Sequence, residues 1–357
     1  MKNIGFICYN IDESGGLERV TSLITNELSQ DPKCQIFIFS LFKGKELFFD
    51  FNENIKIIYL ESRNLAQKIF ELRYFLKKKH IDYLIIVDSL LSFIVIPASL
   101  GLKIKCIGWE HYSFNNSIID RKRKIARYLA SNFFYKIIVL TNRDEHEWNR
   151  KFNIPNKIVV IRNPSSFYVE RHIDKTPYYN VLAVGRLRYE KGFDLLISAW
   201  KIAKPNLPDN VRLLIVGEGE EYVNLKSLIL KYDLSDSIEI KKFTKNIDNY
   251  YKEAKVYCLT SRTEAFPLVL IEALSFSTPL LAMDCYTGPK EIIEEGYNGF
   301  LCEENNIKLY AEKLVEIFRM NVVDYSNLSK NAYNSSHKYS VNEIGNIWKN
   351  LLNISEV

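Results

Sequence analysis

Two carboxylates eight positions apart, Glu264 and Glu272, lie on a stretch suited to holding an anion, Ser261 to Leu274. Just before it, Val256-Tyr257-Cys258-Leu259 is a short apolar run of the kind a buried strand shows. The chain then turns through Glu264-Ala265-Phe266-Pro267 and enters an apolar, helix-competent segment. Pro267 suits the first helical position, where a missing N–H costs nothing. The free N–H groups and positive dipole end of that helix start favour an anion such as a diphosphate. The two acids would face the neutral hydroxyls around it. One Glu pair at this spacing also fits a plain capping carboxylate at Glu264 and a solvated helix residue at Glu272, so other segments must decide.

The cations come from a second loop. Asn180 to Val184 reads as a strand, followed by Gly185-Arg186-Leu187-Arg188-Tyr189-Glu190-Lys191-Gly192 and a helix from Phe193. Arg186 and Lys191, in a loop opened and closed by glycines, can hold both phosphates of a diphosphate and stabilise it as it leaves. Leu213 to Val216 is a further strand, ending in the close-approach turn Gly217-Glu218-Gly219. Ile238 to Phe243 and Pro279 to Met283 complete this set of strands. Gly288-Pro289 lies in the loop after the last, and Gly296 and Gly299 mark turns.

The first half repeats the alternation. Strands are expected at Ile4 to Cys8, Gln35 to Phe39, Ile55 to Leu60, Tyr83 to Val87, Cys106 to Trp109, Ile137 to Leu140 and Ile158 to Ile161, with helix-like stretches between them. Such alternation implies parallel sheets with crossover helices. Ligands of open parallel sheets bind beyond the carboxyl ends of the strands. That places the Gly15-Gly16 turn after the first strand, and His111 after Gly108-Trp109-Glu110, at ligand-binding positions. A tight turn and a structural histidine are the plain alternatives for these two.

Length, composition and charge set the frame. A chain of 357 residues fits two domains, and its 47% apolar and 25% charged residues are ordinary for a globular protein. Six scattered cysteines without a CxxC pattern point to reduced thiols in the cytosol and to neither disulfides nor a zinc cluster. No secretory signal is seen, and the longest uncharged stretch, Ser89 to Leu102, is too short for a bilayer span. Residues 1–165 carry 25 Lys and Arg against 17 Asp and Glu, so the first half is basic. This favours an anionic partner there, a membrane surface or a phosphorylated acceptor; no nucleic-acid motif accompanies it. The segment Arg121 to Lys136 combines a basic start with Ile125, Tyr128, Leu129, Phe133 and Phe134 at helical spacing, which suits contact with anionic headgroups. A crossover helix with a solvated basic face is the alternative. Residues 165–180, with Pro177, read as the linker between domains, and Val341 to Leu352 as a terminal amphipathic helix.

In its ordered motifs the chain resembles the retaining GT-B glycosyltransferases of family 4 (glycosyltransferase group 1). The motifs are a GRLxxxKG loop at Gly185 to Gly192, a GxG turn at Gly217 to Gly219, an E-x7-E element at Glu264 to Glu272, and GPxEII…GxNGFL at Gly288 to Leu301. A GGxER loop at Gly15 to Arg19 and the strand-end Glu110-His111 extend the resemblance across the chain; Ala265 departs from the glycine many members carry. The resemblance implies an α/β GT-B fold, two Rossmann-like domains facing each other across a cleft. Residues 1–168 would bind the acceptor and 169–337 the nucleotide sugar, while 338–357 would return to the first domain as a helix.

The resemblance also implies roles. Arg186 and Lys191 would hold the donor diphosphate, Glu264 the donor sugar and Glu272 the ribose hydroxyls. Gly185, Gly217 and the backbone of Phe266, Pro267 and Leu268 would line the nucleotide, Gly15 and Gly16 would let the first-domain loop reach it, and His111 would lie near the transferred sugar. The implied reaction is front-face transfer, with retention, of a hexose or N-acetylhexosamine from a UDP-sugar to a glycan acceptor. The acceptor would be polyprenyl-diphosphate-linked, in bacterial lipopolysaccharide O-antigen or capsule assembly. Neither metal nor cofactor is expected, and the place would be the cytoplasm, peripheral on the inner face of the cell membrane. A nucleotide-sugar epimerase and a non-catalytic GT-B subunit are the rival readings. The first would need further acids near the anomeric centre; the second would be expected to lose some of Arg186, Lys191, Glu264 and Glu272, all of which are present.

Overall fold

A computed structural model of the chain describes residues 1–114, 120–175, 178–244 and 246–354. Pro177 of the expected linker and residues 355–357 of the expected terminal segment lie outside the described residues. The chain divides into two compact units, Met1–Ser166 with Val341–Val357, and Phe167–Ser340.

The first unit holds β1 (Lys2–Cys8), β2 (Cys34–Ser40), β3 (Lys56–Tyr59), β4 (Tyr83–Val87), β5 (Lys105–Trp109), β6 (Lys136–Val139) and β7 (Ile158–Val160). They form one parallel sheet in the order β3-β2-β1-β4-β5-β6-β7. Helices α1 (Gly16–Ser29), α2 (Leu65–Lys78), α3 (Ser92–Ser99), α4 (Arg121–Phe133) and α5 (Asn142–Phe152) make the crossovers. Inner strands covered on both faces must be apolar throughout, and β4, Tyr-Leu-Ile-Ile-Val, is buried along its whole length. At the sheet edge β3 is only half-buried and opens on Lys56, a charge that discourages edge pairing with other chains.

The second unit repeats the plan with β8 (Asn180–Val184), β9 (Arg212–Val216), β10 (Ile238–Lys241), β11 (Ala254–Leu259), β12 (Leu280–Asp284) and β13 (Gly299–Glu303). Their order is β10-β9-β8-β11-β12-β13, again parallel. Around them lie α6 (Phe193–Ala203), α7 (Tyr222–Lys231), α8 (Ile247–Glu253), α9 (Leu268–Ser275), α10 (Pro289–Ile292), α11 (Ile307–Arg319) and α12 (Val322–Ser336). In each sheet the first strand sits inside the sheet, with neighbours reached by chain running in opposite directions. This is the switch point where the loops after adjacent strands splay apart and leave room for a ligand. In the second unit that strand is β8, flanked by β9 and β11.

The last helix, α13 (Val341–Leu351), packs on α1 in the first unit. Its Trp348 is fully buried, 4.8 Å from Trp109 and 6.1 Å from Phe6 between ring centroids. Lys349 donates to Glu27 of α1 at 2.9 Å, and Lys2 donates to the Leu352 carbonyl at 2.9 Å. The apolar positions Ile344 and Trp348 thus complete the first unit's core.

Several elements differ from the sequence reading. β13 begins at Gly299, which reads as a turn, and the Ile238 run stops at Lys241, two residues before Phe243. Pro267 caps α9 and Leu268 is its first residue, one position later than expected. The uncharged stretch from Ser89 forms a 3-10 turn and the eight-residue α3. No helix among the described residues is long and apolar enough to cross a membrane. All six cysteines are buried and unpaired.

Candidate active site

In the second unit the pairing of β8 with β11 sets the geometry. The loops after these two strands emerge side by side, so Lys191 and Glu264 meet although 73 residues separate them. Lys191 Nζ donates to Glu264 Oε1 at 2.7 Å, and Ser261 Oγ donates to the same oxygen at 2.7 Å. Thr287 Oγ1 donates to the Glu264 carbonyl, so the loop after β12 closes the third side. Glu264 therefore does not cap α9, whose first turn has no side-chain cap. An uncapped turn leaves N–H groups facing outward, with the dipole favouring negative charge.

Glycines let these loops approach. Gly192 has φ +63°, and a Cβ there would come within 2.0 Å of the Thr260 carbonyl oxygen. Only glycine takes both the left-handed backbone and the contact without strain. A Cβ on Gly217 would meet the Gly185 carbonyl oxygen at 1.8 Å, so Gly217 lies flat beneath the start of the Lys191 loop. The Leu187 N–H donates to the Glu218 carbonyl at 2.8 Å, which joins the two turns.

The remaining expected residues fall as follows. Gly185 is half-buried directly after β8. Arg186 is exposed and its side chain has no hydrogen-bond or ion-pair partner among the described residues. Phe266 is buried against Tyr339, with ring centroids 5.9 Å apart, and Leu268 is half-buried at the head of α9. Glu272 is 2% exposed, which overturns the solvated-helix alternative; the Tyr251 hydroxyl donates to its Oε2 at 2.9 Å. Burial and then the charges of Glu272 and Glu264 raise the Tyr257 hydroxyl well above its ordinary pKa, so both acids bear on one buried tyrosine. Cys285 is held up at about 12 by burial, then by Glu264 and Asp284, with Lys191 opposing.

In the first unit, β5 ends at Trp109 and the turn Glu110-His111-Tyr112 follows. His111 lies against Trp109, the rings tilted by 51° with centroids 4.5 Å apart, and its Nε2 is buried without a hydrogen-bond partner among the described residues. Burial, opposed by Glu110, holds its pKa down at about 4. It is therefore a neutral imidazole at pH 7, able to donate or accept one hydrogen bond. Gly15 caps α1, and Gly16 is its first, exposed residue.

The basic start of α4 is not a uniform surface, which corrects the sequence reading. Arg123 forms a bidentate pair with Asp88, Nη1 to Oδ1 at 2.7 Å and Nη2 to Oδ2 at 3.0 Å. Arg127 Nε donates to Glu110 Oε2 at 3.0 Å. Its other nitrogens donate to the Phe114, Tyr112 and Ser113 carbonyls at 2.8, 2.8 and 3.2 Å. Burial works to raise the Glu110 pKa, but Arg127 and Arg123 outweigh it and hold the carboxyl below its ordinary value. These two arginines grip the turn that carries His111. Arg121, Lys122 and Lys124 remain exposed, with Ile125, Tyr128 and Phe133, whereas Phe134 is buried.

The sequence reading assigned no site role to Asp88, Arg123, Arg127, Tyr251, Ser261 or Thr287, taking Arg123 and Arg127 as part of a basic helix and Ser261 as the start of the Glu264 stretch. Asp88 follows directly on β4 and Ser261 lies two residues beyond β11, so the strand-end rule reaches both; the others carry no local signal.

Two models of known families match the chain: "Glycosyltransferase Family 4" over residues 14–165 and "Glycosyl transferases group 1" over residues 168–335. An "Uncharacterized glycosyltransferase" of Haemophilus influenzae is 36% identical, covering 99% of this chain and 100% of its own. The amylovoran biosynthesis glycosyltransferase AmsD of Erwinia amylovora is 30% identical over 96% and 97%. A Campylobacter jejuni α-1,4-N-acetyl-D-galactosaminyltransferase, whose name gives an undecaprenol diphosphate-linked glycan, is 28% identical over 99% and 98%. Among solved structures, Anabaena HepE in complex with UDP-glucose superposes with a TM-score of 0.81 at 17% identity, over 99% of this chain and 100% of its own. At that identity the likeness shows the fold, GT-B.

Proposed function

This chain belongs to the glycosyl transferases group 1 family and has the GT-B fold, and from that premise we propose that it moves a hexose or N-acetylhexosamine from a UDP-sugar to a glycan acceptor with retention at the anomeric carbon. The observation that carries this reading is the Lys191–Glu264 pair, set beside the uncapped start of α9, with Arg186 exposed on the same loop as Lys191 and its side chain without a partner among the described residues. A diphosphate entering there gains the charges of Lys191 and Arg186, as well as backbone N–H groups. Its arrival releases Glu264 from Lys191, and the carboxylate then takes hydrogen bonds from the sugar hydroxyls. Glu272, steadied by Tyr251, serves the ribose hydroxyls.

In the step itself the acceptor hydroxyl oxygen bonds to the anomeric carbon on the face from which the diphosphate departs. The carbon–oxygen bond to the β-phosphate breaks and its electron pair stays on that oxygen, which takes the acceptor's proton. Lys191 and Arg186 stabilise the growing charge, so the step needs no metal. No carboxylate is assigned as a covalent nucleophile, in contrast to retaining glycosidases.

A polyprenyl-diphosphate-linked acceptor is supported by the Campylobacter relative's printed substrate and by the outer surface of three helices. α2 packs on α3 and α3 on α4. Phe70 and Tyr74, then Phe93 and Leu100, then Ile125, Tyr128 and Phe133 are exposed along them, with Lys77, Lys78, Arg121, Lys122 and Lys124 exposed on the same helices. Aromatic and basic side chains together suit an anionic bilayer surface, with the protein bound peripherally on the cytoplasmic side.

The test is a panel of nucleotide sugars with the purified protein in chelator, reading nucleoside diphosphate release and product anomeric configuration by NMR. Release from one UDP-sugar, lost in Lys191→Ala and Glu264→Ala, is the expected result. Parental rates in both variants, or an inverted product, overturn the reading. Flotation with phosphatidylglycerol vesicles, abolished by Phe70→Ser with Tyr128→Ser, tests the membrane contact.

A further inference from the structure

We infer that Arg262 and Asp194 are positioning residues: a clamp outside the reacting groups that sets the distance between Lys191 and Glu264. The inference rests on the donor-site reading above and adds to it two residues that touch no substrate there.

Lys191 and Glu264 sit on loops that leave different strands, so the 2.7 Å between them must be set by what joins the loops. The joints are few and specific. Thr260 Oγ1 donates to the Gly192 carbonyl at 2.8 Å, and the Arg262 N–H donates to the Glu190 carbonyl at 2.8 Å. The Arg262 guanidinium makes the rest. Its Nη1 donates to the Tyr189 carbonyl and to Asp194 Oδ1, both at 2.8 Å, and its Nη2 donates to Asp194 Oδ2 at 2.6 Å. The guanidinium carbon also lies 4.0 Å from the centroid of the Tyr189 ring.

Arg262 comes two residues before Glu264; Tyr189 comes two residues before Lys191, and Asp194 three after it. One planar group therefore spans both loops on either side of the functional pair. The fork is spent on Asp194 and Tyr189, so Arg262 serves alignment and not phosphate binding. Asp194 lies in the first turn of α6, where the helix dipole favours its charge. Lysine cannot replace Arg262 here, because an ammonium lacks the fork and the flat face.

A double-mutant cycle tests the clamp. UDP affinity is measured by calorimetry for the parent, Arg262→Ala, Lys191→Ala and the double variant, with Arg262→Lys as the better-folding companion. Labelling of Lys191 by an amine-reactive reagent, read by mass spectrometry without ligand, is the second measurement. The expected result is a tenfold or greater loss of UDP affinity in Arg262→Ala and a several-fold loss in Arg262→Lys, with parental melting temperatures. In the Lys191→Ala background the same substitution changes affinity by less than threefold, because residues acting through one another are not additive. Lys191 labelling rises several-fold in both Arg262 variants. Losses that multiply, or labelling and affinity that stay parental, overturn the clamp. If the parent binds no UDP while labelling still rises, the clamp stands and the donor-site reading falls.

Discussion

Replacing Arg127 by alanine leaves Glu110 as a buried carboxylate without its main ionic partner, and the cost can be worked from the structure. Glu110 is 4% exposed, and its side chain keeps Arg123 Nη1 at 3.5 Å, the Tyr112 N–H at 3.1 Å and a hydrogen bond with Ser89. Breaking one side of a buried pair costs about 3–5 kcal/mol, because the remaining charge stays desolvated. For a unit of this size that lowers the melting temperature by roughly 6–20 °C. Thermal unfolding followed by circular dichroism and by tryptophan fluorescence is the assay. In the parent, Glu110 has a folded pKa below its ordinary value of 4.5. Its contribution is therefore present above the unfolded pKa and disappears as pH falls through the lower, folded one. In Arg127→Ala the stranded carboxylate is relieved by protonation, so the gap between variant and parent narrows as pH falls from 7 toward 4. Arg127→Met with Glu110→Gln recovers most of the loss, since no unpaired charge remains. A loss below 1 kcal/mol, or a gap that widens on acidification, refutes the reasoning.

Other perturbations have equally definite outcomes. Glu264→Gln keeps the shape of the site but removes the charge that holds Lys191 at 2.7 Å; UDP binding should persist while transfer falls by about 10²-fold, on the scale of one lost transition-state contact. Folding leaves His111 with a pKa of about 4 against an ordinary 6.5, so the unfolded chain takes up the proton first and stability declines as pH drops from 6.5 to 4. His111→Gln should flatten that decline in urea titrations at pH 5 and pH 7, and an unchanged slope would remove His111 as its source. Gly192→Ala forces a side chain into a φ of +63° and against the Thr260 carbonyl; a loss of about 1–3 kcal/mol follows from such strain, and a variant as stable as the parent in the same titration would contradict it.

Buried parallel strands announce themselves as uninterrupted apolar runs, which is why β4 and β8 are readable to the residue. The loops after β8 and β11 carry Arg186, Lys191 and Glu264 in recognisable motifs. β13 was hidden because glycine signals a turn locally, while only the sheet shows Gly299 pressed against Leu280. For α4 the helical period was right, but charge by itself did not tell Arg123 and Arg127, which turn inward to Asp88 and Glu110, from Lys122 and Lys124, which do not. Arg262 and Asp194 are 68 residues apart, and Tyr251 is 21 residues from Glu272. No short-range pattern encodes such pairs; the order of strands in the sheet creates them.

The return of α13 to the first unit bears on how this protein can be cut and tagged. A fragment ending at Ser166 would lack Trp348, leaving Trp109 and Phe6 facing water where that ring belongs. Excising the first unit as an independent piece therefore calls for a graft: residues 341–354 joined by a spacer to residue 166. Fusions at the carboxyl end inherit the same constraint, since Lys2 and Glu27 already hold that end in place.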